Sequence, residues 1–363
     1  MNPSEALKRT PLYTTHLECG GKVIPFAGWE MPVQYSGILD EHTAVRERVG
    51  LFDISHMGEV LVSGPGAEAG LNHLLTNDIR KAVVGQAQYT LMCTPSGGVV
   101  DDLIVYRLEP NKFLLIINAS HIEKDFNWIR SHMPVDVALE NQSEQTAGLA
   151  LQGPAAVKLI PAAADLPVFH VRKLNVCGVD CLVARTGYTG EDGFELICDA
   201  KAAAGLWKEL LKRGAEFGIR PCGLGCRDTL RLEMCYPLHG SDITEATTPI
   251  EAGLGRFVSF DKGNFIGRSV MLEQKEKGTA RKLVAFKMSD KSPPPRPHYP
   301  IMADGRKVGE IASGTQSPTL GIGIGMGYVE TAAAGVGSKI DIEIRGKNYP
   351  AVVEKKPLLK RNK

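Results

Sequence analysis

The stretch "GEVLVSGPGAEAGLNHLL", residues 58–75, joins a short apolar strand to a helix through a Gly-Pro turn. The apolar residues at its start predict a strand over 58–62, and Pro65 suits the first turn of a helix. The same order returns in "GLALQGPAAVKLI" at 148–160, where another Gly-Pro pair separates strand from helix. The sequence therefore predicts two degenerate copies of one structural unit.

The segments that follow the two copies are also alike. After the first copy we expect a strand, a turn, a second strand and a helix, at 101–106, 109–112, 113–119 and 120–133. After the second copy the same series is expected at 179–188, 189–193, 194–198 and 199–214. This order predicts an α+β fold with two similar layers whose sheets face a shared cavity.

The C-terminal part has a different pattern, after a polar linker at 276–281. Short apolar segments separated by Gly, Pro, Asn and Asp follow one another at 282–288, 306–314, 320–329, 338–346 and 349–356. Such spacing is typical of a small antiparallel barrel or sandwich. We expect a region of two intertwined α+β domains over 1–275 and a separate β-barrel domain over 282–363.

Composition excludes several functional classes. The chain has 363 residues, a formal net charge of +1 and eight cysteines without a CxxC pair. These values favour two or three soluble domains with reduced thiols, and give no signal for nucleic acid or a membrane. The first residues lack the features of a signal peptide, so we expect a cytoplasmic protein, with a mature organellar form as the alternative. "GIGIGMG" at 321–327 lacks the spacing and context of a dinucleotide-binding loop.

Two adjacent acids, Asp101 and Asp102, interrupt the apolar strand "GGVVDDLIVY" at 97–106. Side chains alternate along a strand, so the two carboxylates point to opposite faces and cannot act as a pair. At most one of them lines a given pocket, and the alternative for either is a paired structural acid. Asn118 ends the next strand and should return to about the level of 102 and 103; its alternative role is a helix N-cap, like that of Asp199.

A second polar cluster is "TGYTGEDGFEL" at 186–196. Alternation places Glu195 on the opposite face from Phe194 and Leu196. A lone carboxylate in this position is able to accept two N–H bonds from a pterin or guanine edge. The alternative is an exposed strand residue.

The third cluster is the helical stretch that holds Arg227, Asp228 and Arg231. Asp228 and Arg231 have the spacing of a helical ion pair, which is the structural interpretation. The functional interpretation is an arginine that orients a carboxylate or binds an anionic tail. His56, within "DISHMGEVLV", is interpreted as a structural histidine.

Together these motifs closely resemble the aminomethyltransferase (T-protein) family of the glycine cleavage system, in the same order along nearly the whole chain. The segments that carry the resemblance are "FAGWEMPVQY", "EHTAVRERVGLFDISHMGE", "GGVVDDLIVY", "ALQGP", "RTGYTGEDGFEL", "GLGCRDTLRLE" and "ASGTQSPTLG". The resemblance implies a three-domain cloverleaf around a folate channel, without a metal. It also implies transfer of a methylene group from the aminomethyl-lipoyl arm of the H-protein to tetrahydrofolate, with release of ammonia.

The resemblance also implies roles for individual residues. Asp102 would be the catalytic acid at the folate N5, with Asn118 in the same pocket. Glu195 would hold the pterin edge, and Arg227 would support the folate site. The apolar and aromatic walls would be Met57, Leu61, Tyr89, Ile116 and Tyr188. Lys360 or Arg361 would meet the folate tail, where family members often carry arginine or tyrosine, although a basic tail without a ligand role is the alternative.

Other folate users share this fold. Sarcosine and dimethylglycine dehydrogenases fuse it to a flavin domain, for which this chain has no room. One relative moves a methyl group from a sulfonium to folate, and another is an accessory factor for iron–sulfur proteins with a glycine motif that is absent here. The DDL pair and "GYTGEDGFE" favour the amine-releasing transferase.

Overall fold

The structure is a computed structural model that describes residues 6–360. The helices in this range are α1 Tyr13–Glu18, α2 Ile38–Glu47, α3 Ala67–Leu74, α4 Ile122–His132, α5 Ala156–Leu159, α6 Ala203–Gly214, α7 Leu224–Glu233 and α8 Arg268–Lys277. None of these helices is both long and apolar enough to cross a membrane.

The strands of the same range are short and are spread over the whole sequence. They are β1 Lys8–Arg9, β2 Lys22–Phe26, β3 Trp29–Gln34, β4 Gly50–Asp53, β5 Gly58–Ser63, β6 Ala87–Cys93, β7 Val99–Glu109, β8 Lys112–Ile117, β9 Ala138–Asn141, β10 Thr146–Gln152, β11 Val171–Val176, β12 Val179–Ala184, β13 Gly193–Asp199, β14 Arg220–Cys222, β15 Arg281–Met288, β16 Pro300–Ala303, β17 Arg306–Gln316, β18 Gly323–Glu330, β19 Lys339–Ile344 and β20 Lys347–Glu354.

Two compact units make up the chain. The first contains residues up to Leu71 together with Ile79–Tyr89 and Leu103–Arg227. The second contains Asn72–Asp78, Thr90–Asp102 and the residues from Asp228 onward.

Two sheets repeat one strand order, which confirms the predicted duplication. One sheet runs β6-β7-β8-β5-β9, and the other runs β11-β12-β13-β10-β4-β14. In each, the strand before the Gly-Pro turn pairs antiparallel with the second strand of the following hairpin, β5 with β8 and β10 with β13. Each copy also has an outer strand, β6 or β11, that the sequence did not predict.

The Gly-Pro turns of the two copies have the same backbone conformation. Gly64 has a φ of 128° and Gly153 a φ of 130°, a region open essentially to glycine alone. A Cβ on Gly64 would lie 2.3 Å from the carbonyl oxygen of Asp136, and one on Gly153 would lie 2.6 Å from that of Arg48. Both glycines therefore let the chain turn tightly from strand into helix.

Strand β13 separates two apolar clusters of the first unit. Its residues Phe194 and Leu196 are buried in the larger cluster, with Trp207 of α6. Ile197 faces the other way and packs in a smaller cluster with Tyr106 of β7 and, from β8, Leu114. Because this smaller cluster draws on both sheets, the two layers face each other within the first unit, as predicted.

Gln152, at the end of β10, fixes the loop that leads into β13. Its side-chain amide donates to the carbonyl oxygen of Thr186 at 3.1 Å and accepts from Thr189 Oγ1 at 2.8 Å. Gly187 lies so close that a Cβ there would be 2.0 Å from Gln152 Oε1. The loop is thus held against the strand that begins the second copy.

Arg46 of α2 holds the same loop from another side. Its Nη1 donates to the carbonyl oxygen of Thr189 at 2.7 Å and to Glu191 Oε1 at 2.8 Å. The side chain of Arg46 is 10% exposed and that of Glu191 only 1%, so this ion pair is shielded from solvent.

The second unit contains a closed barrel in the order β15-β18-β17-β16-β19-β20. Its pairings are antiparallel, and Phe286, Ile301 and Ile342 are fully buried in its core. The predicted antiparallel barrel is confirmed. Helix α8 takes the first residues of the expected linker, and β15 begins at Arg281.

Glu59 of β5 is a buried acid in the first unit, 2% exposed. Thr146 Oγ1 donates to its carboxylate at 3.0 Å. Burial raises the pKa of Glu59 from 4.5 to about 8, against the lowering effect of Thr146. The folded protein therefore keeps a proton here at pH 7 that the unfolded chain releases.

The Arg46→Met substitution should lower the free energy of unfolding by about 3–5 kcal/mol, because Glu191 stays buried without its guanidinium. Urea titration at pH 7 measures this loss. The matched control is Arg213→Met, since the Arg213–Glu209 pair has side chains 54% and 33% exposed. This control should cost much less, because an exposed ion pair is screened by solvent. Equal losses of unfolding free energy in the two variants would contradict the proposed role of the buried Arg46–Glu191 pair.

The Glu59→Gln substitution should change the pH dependence of stability. In wild type the unfolded chain binds fewer protons than the folded one between the two pKa values, so stability falls as pH rises from 4.5 towards 8. The free energy of unfolding of Glu59→Gln, relative to that of wild type, should rise by about 1.4 kcal/mol per pH unit in that window. Unfolding titrations at pH 6, 7 and 8 measure it, with the exposed Glu140→Gln as control. Parallel curves for wild type and Glu59→Gln would show the expectation to be wrong.

Candidate functional site

Glu195 lies on β13 between two small neighbours. Ala150 of β10 and Ala184 of β12 are its direct partners in the sheet. Their methyl groups leave space beside the carboxylate, and Glu195 is half-buried, whereas Phe194 and Leu196 are fully buried on the opposite face. The side chains of this strand thus point to the two faces as alternation predicts.

Two hydroxyl groups reach one oxygen of Glu195. Thr186 Oγ1 donates to Oε2, and the hydroxyl of Tyr106 donates to the same oxygen at 3.5 Å. Within residues 6–360, no group donates a hydrogen bond to Oε1. One carboxylate oxygen is therefore engaged by the protein, and the other remains available to a ligand.

The surroundings of Glu195 act on its charge in opposite directions. Burial raises the pKa of this carboxyl, while the Thr186 hydroxyl, the positive charge of Arg227 and the Tyr106 hydroxyl each lower it. The net pKa of Glu195 stays above its usual value, and the two hydroxyls and the guanidinium offset only part of the cost of burying its charge.

Arg227 and Tyr188 form the second part of the site. The guanidinium carbon of Arg227, on α7, lies 5.0 Å from the centre of the Tyr188 ring. A guanidinium over an aromatic face restrains both groups and makes a flat, positively charged surface. The loop held by Gln152 and Arg46 carries Tyr188, so this surface is fixed in advance.

A cavity of the first unit collects these residues. It is lined by Phe52, Ile54, Ala150, Gln152, Tyr188, Thr189, Glu195 and Arg227. Such a lining combines apolar walls, an aromatic face, one carboxylate and one guanidinium. The carboxylate is an acceptor for N–H donors, and the aromatic and apolar side chains are surfaces on which a flat ring packs.

His56 lies on the turn between β4 and β5 and is 1% exposed. Neither ring nitrogen has a hydrogen-bond partner within residues 6–360. Burial and the charge of Arg227 lower the pKa of His56 to about 3, against the opposing effect of Asp53. The imidazole is neutral at physiological pH and is packed edge-on against Phe26, with ring centres 5.9 Å apart.

The predicted wall residues and Asn118 have the same degree of burial: each is neither fully buried nor fully exposed. This holds for Met57, Leu61, Tyr89, Ile116, Asn118 and Tyr188. Leu61 and Ile116 pack at the margin of the smaller apolar cluster. Asn118 precedes a short helix at Ala119–His121, but its side chain makes no capping hydrogen bond there, whereas Asp199 accepts from the backbone N–H of Lys201 at 2.8 Å. The alternative role of Asn118 as a helix cap is therefore not observed.

The two aspartates of β7 have different surroundings. Asp101 is completely buried, and its Oδ1 lies 3.8 Å from Nδ1 of His239, which belongs to the same unit. Asp102, on the opposite face of the strand, is half-buried. The structural interpretation thus fits Asp101, and the role of Asp102 stays a prediction.

The ion pair predicted on α7 is present in the second unit. Arg231 pairs with Asp228 at 2.8 Å and with Asp242 at 2.6 Å. Arg231 is almost fully buried, which fits a structural role rather than a ligand-binding one. Near the C-terminus, Lys360 is exposed and Arg361 lies outside the described residues.

Thr186, Tyr106, Gln152 and Arg46 belong to the surroundings of the site, but sequence reasoning did not single them out. Tyr106 lies 89 residues from Glu195 in the chain, whereas Thr186 lies nine residues from it, within the cluster at 186–196. The sequence did indicate that such partners exist, since the carboxylate of Glu195 in an apolar strand needs hydrogen-bond donors. No group of three or more His, Cys, Asp or Glu in the described chain has the arrangement of a metal site.

Comparisons with known proteins agree with one another. Residues 12–262 match the model of the GCVT N-terminal domain, and residues 281–360 match that of the glycine cleavage T-protein C-terminal barrel domain. An aminomethyltransferase of Geobacillus kaustophilus is 49% identical over 98% of this chain and 100% of the relative. One from Bacillus subtilis is 47% identical over 98% of this chain and 100% of the relative.

A solved structure supports the same relationship. The glycine cleavage system aminomethyltransferase T from Bartonella henselae superposes with a TM-score of 0.91 at 34% sequence identity, covering 97% of this chain and 98% of that one. The relatives therefore extend over the α+β region and the barrel together. The chain belongs to the aminomethyltransferase (T-protein) family of the glycine cleavage system.

Proposed function

We propose that the chain transfers the methylene group of an aminomethyl-dihydrolipoyl H-protein to tetrahydrofolate. The products are 5,10-methylenetetrahydrofolate, ammonia and dihydrolipoyl H-protein. The observation that carries this proposal is the carboxylate of Glu195, placed beside Arg227 in a cavity with an aromatic and apolar lining.

Glu195 holds the pterin through its amino–imino edge. Each oxygen of an ionised carboxylate has two lone pairs, so Oε1, which accepts from no protein donor within the described residues, has room for both N–H groups. The guanidinium of Arg227 sustains the negative charge of Glu195 and supports the folate site. Tyr188, under that guanidinium, supplies a flat wall.

Asp102 is the catalytic acid of this proposal. Asp102 is half-buried, whereas Asp101 on the opposite face is fully buried. At the substrate N5, the carboxylate would take the proton that this nitrogen loses as it bonds to the methylene carbon, while the bond from that carbon to the amine breaks and ammonia leaves. N10 of the folate then bonds to the same carbon as its bond to the lipoyl sulfur breaks, and the N10 proton goes to the sulfur. Asn118 and the walls Met57, Leu61, Tyr89 and Ile116 would complete the folate pocket.

Several broader features of the proposal rest on the family. The lipoylated H-protein is the partner, and Lys360 or Arg361 meets the folate tail. We keep the division into a folate-binding region over 1–275 and a barrel domain over 282–363. A bacterial cytoplasmic location is supported by the bacterial relatives.

The direct test uses purified protein, aminomethylated H-protein and tetrahydrofolate. We expect ammonia and 5,10-methylenetetrahydrofolate in equal amounts. If ammonia is not released while a methyl sulfonium substrate is demethylated with folate, the proposed reaction is wrong and the related demethylase activity takes its place.

The Asp102→Asn substitution should lower ammonia release about a hundredfold or more, since the carboxylate at the reacting nitrogen is lost. Initial rates at saturating tetrahydrofolate measure this effect. Asp101→Asn is the matched control, and its main effect should be on thermal stability rather than on the rate of the folded enzyme. Equal losses of rate in the two variants would contradict the assignment of Asp102.

The Glu195→Gln substitution should weaken tetrahydrofolate binding about tenfold to a hundredfold, because the single acceptor oxygen of an amide cannot serve both the Thr186 hydroxyl and the N–H groups of the ligand. Anaerobic calorimetry measures the dissociation constant. The exposed Glu140→Gln serves as control and should leave binding unchanged. An unaltered dissociation constant in Glu195→Gln would make this residue structural only.

A further inference from the structure

We propose that Thr186 and Tyr106 are positioning residues, which hold Glu195 in one orientation with Oε2 engaged by the protein and Oε1 directed to the substrate. The inference rests on the proposed function, in which Glu195 binds the pterin edge. It adds two residues that touch Glu195 rather than the substrate.

The two hydroxyls come from different parts of the first unit. Thr186 lies in the loop after β12, and Tyr106 lies on β7 of the other sheet. Both donate to Glu195 Oε2, and their own oxygens are 3.4 Å apart. A carboxylate held by two donors from separate elements has a single favoured rotation, so its free oxygen has a defined direction.

The backbone around Thr186 keeps its hydroxyl in place. Its carbonyl oxygen accepts from Gln152 Nε2 at 3.1 Å, and Thr186 is 8% exposed. The next residue, Gly187, packs directly on the Gln152 side chain, where a Cβ would be 2.0 Å from Oε1. Because threonine is also stiff at χ1, the donor does not swing away when the cavity is empty.

The hydroxyls also decide which ligands Glu195 accepts. Arg227 of α7 is the cation that acts on Glu195, and Tyr106 of β7 is the other titratable group facing it. The direct partners of Glu195 on the neighbouring strands β10 and β12 are Ala150 and Ala184, which carry no charge. Burial opposes ionisation, so the hydroxyl donors help to keep a carboxylate that accepts from N–H groups. A protonated carboxyl would donate a hydrogen bond and would suit a different ligand edge.

The experiment compares Thr186→Val, which removes the hydroxyl at constant shape, with Thr186→Ser, which keeps it. The dissociation constant of tetrahydrofolate is measured anaerobically between pH 5.5 and 8.5. We expect Thr186→Val to bind about tenfold more weakly at pH 7, with the loss of binding on the acid side moved to higher pH. The dissociation constant of Thr186→Ser should stay within about threefold of wild type, and its loss of binding at acid pH should occur at the same pH as in wild type. The proposal would be overturned if Thr186→Val bound tetrahydrofolate as tightly as wild type and lost binding at the same acid pH.

A second arm separates this proposal from the function on which it rests. In the Glu195→Gln background, Thr186→Val should cause no further weakening, because its effect passes through the carboxylate. A tenfold loss in both backgrounds would overturn the positioning role. Unchanged binding in Glu195→Gln alone would overturn the assignment of Glu195 in the proposed function. A clear effect of Glu195→Gln with a silent Thr186→Val would overturn only the positioning role.

Tyr106→Phe is the variant used if Thr186→Val does not fold, since it keeps the ring within the apolar cluster. Its hydrogen bond to Glu195 is long, at 3.5 Å, so we expect about a threefold weaker binding of tetrahydrofolate at pH 7. The loss of binding at acid pH should again move to higher pH. Wild-type binding across the whole pH range would overturn the proposal.

Discussion

The alternation of side chains along β13 is the constraint on which the candidate site depends. Phe194 and Leu196 are buried with Trp207 in the larger core, and this packing fixes the register of the strand. A slip of one residue would bring Glu195 into that core without donors, at a large cost in free energy. The position of the carboxylate therefore follows from the apolar residues on either side of it.

Much of the fold follows from sequence patterns of this local kind. The duplicated Gly-Pro units and the C-terminal barrel were predictable because turn residues and strand periodicity are read over a few neighbouring positions. The facing of Glu195 and the Asp228–Arg231 pair were predictable for the same reason. Strand β16, Pro300–Ala303, was not, since four residues that begin with proline carry little strand signal.

The surroundings of the site were less predictable, because they depend on partners that are distant in the chain. The Arg46–Glu191 pair joins α2 to the loop before β13, and Tyr106 reaches Glu195 from the other sheet. No local pattern marks such contacts. Their consequence is a loop fixed before any ligand binds, which reduces the entropy lost on binding.

A crystal structure of the protein with tetrahydrofolate bound tests the role of Glu195 most directly. We expect the amino and ring N–H groups of the pterin to lie about 3 Å from the Glu195 carboxylate. Thr186 should still donate to Oε2, and Asp102 should be the nearest carboxylate to N5. A pterin bound away from Glu195, with its N5 beside another acid, would contradict the account.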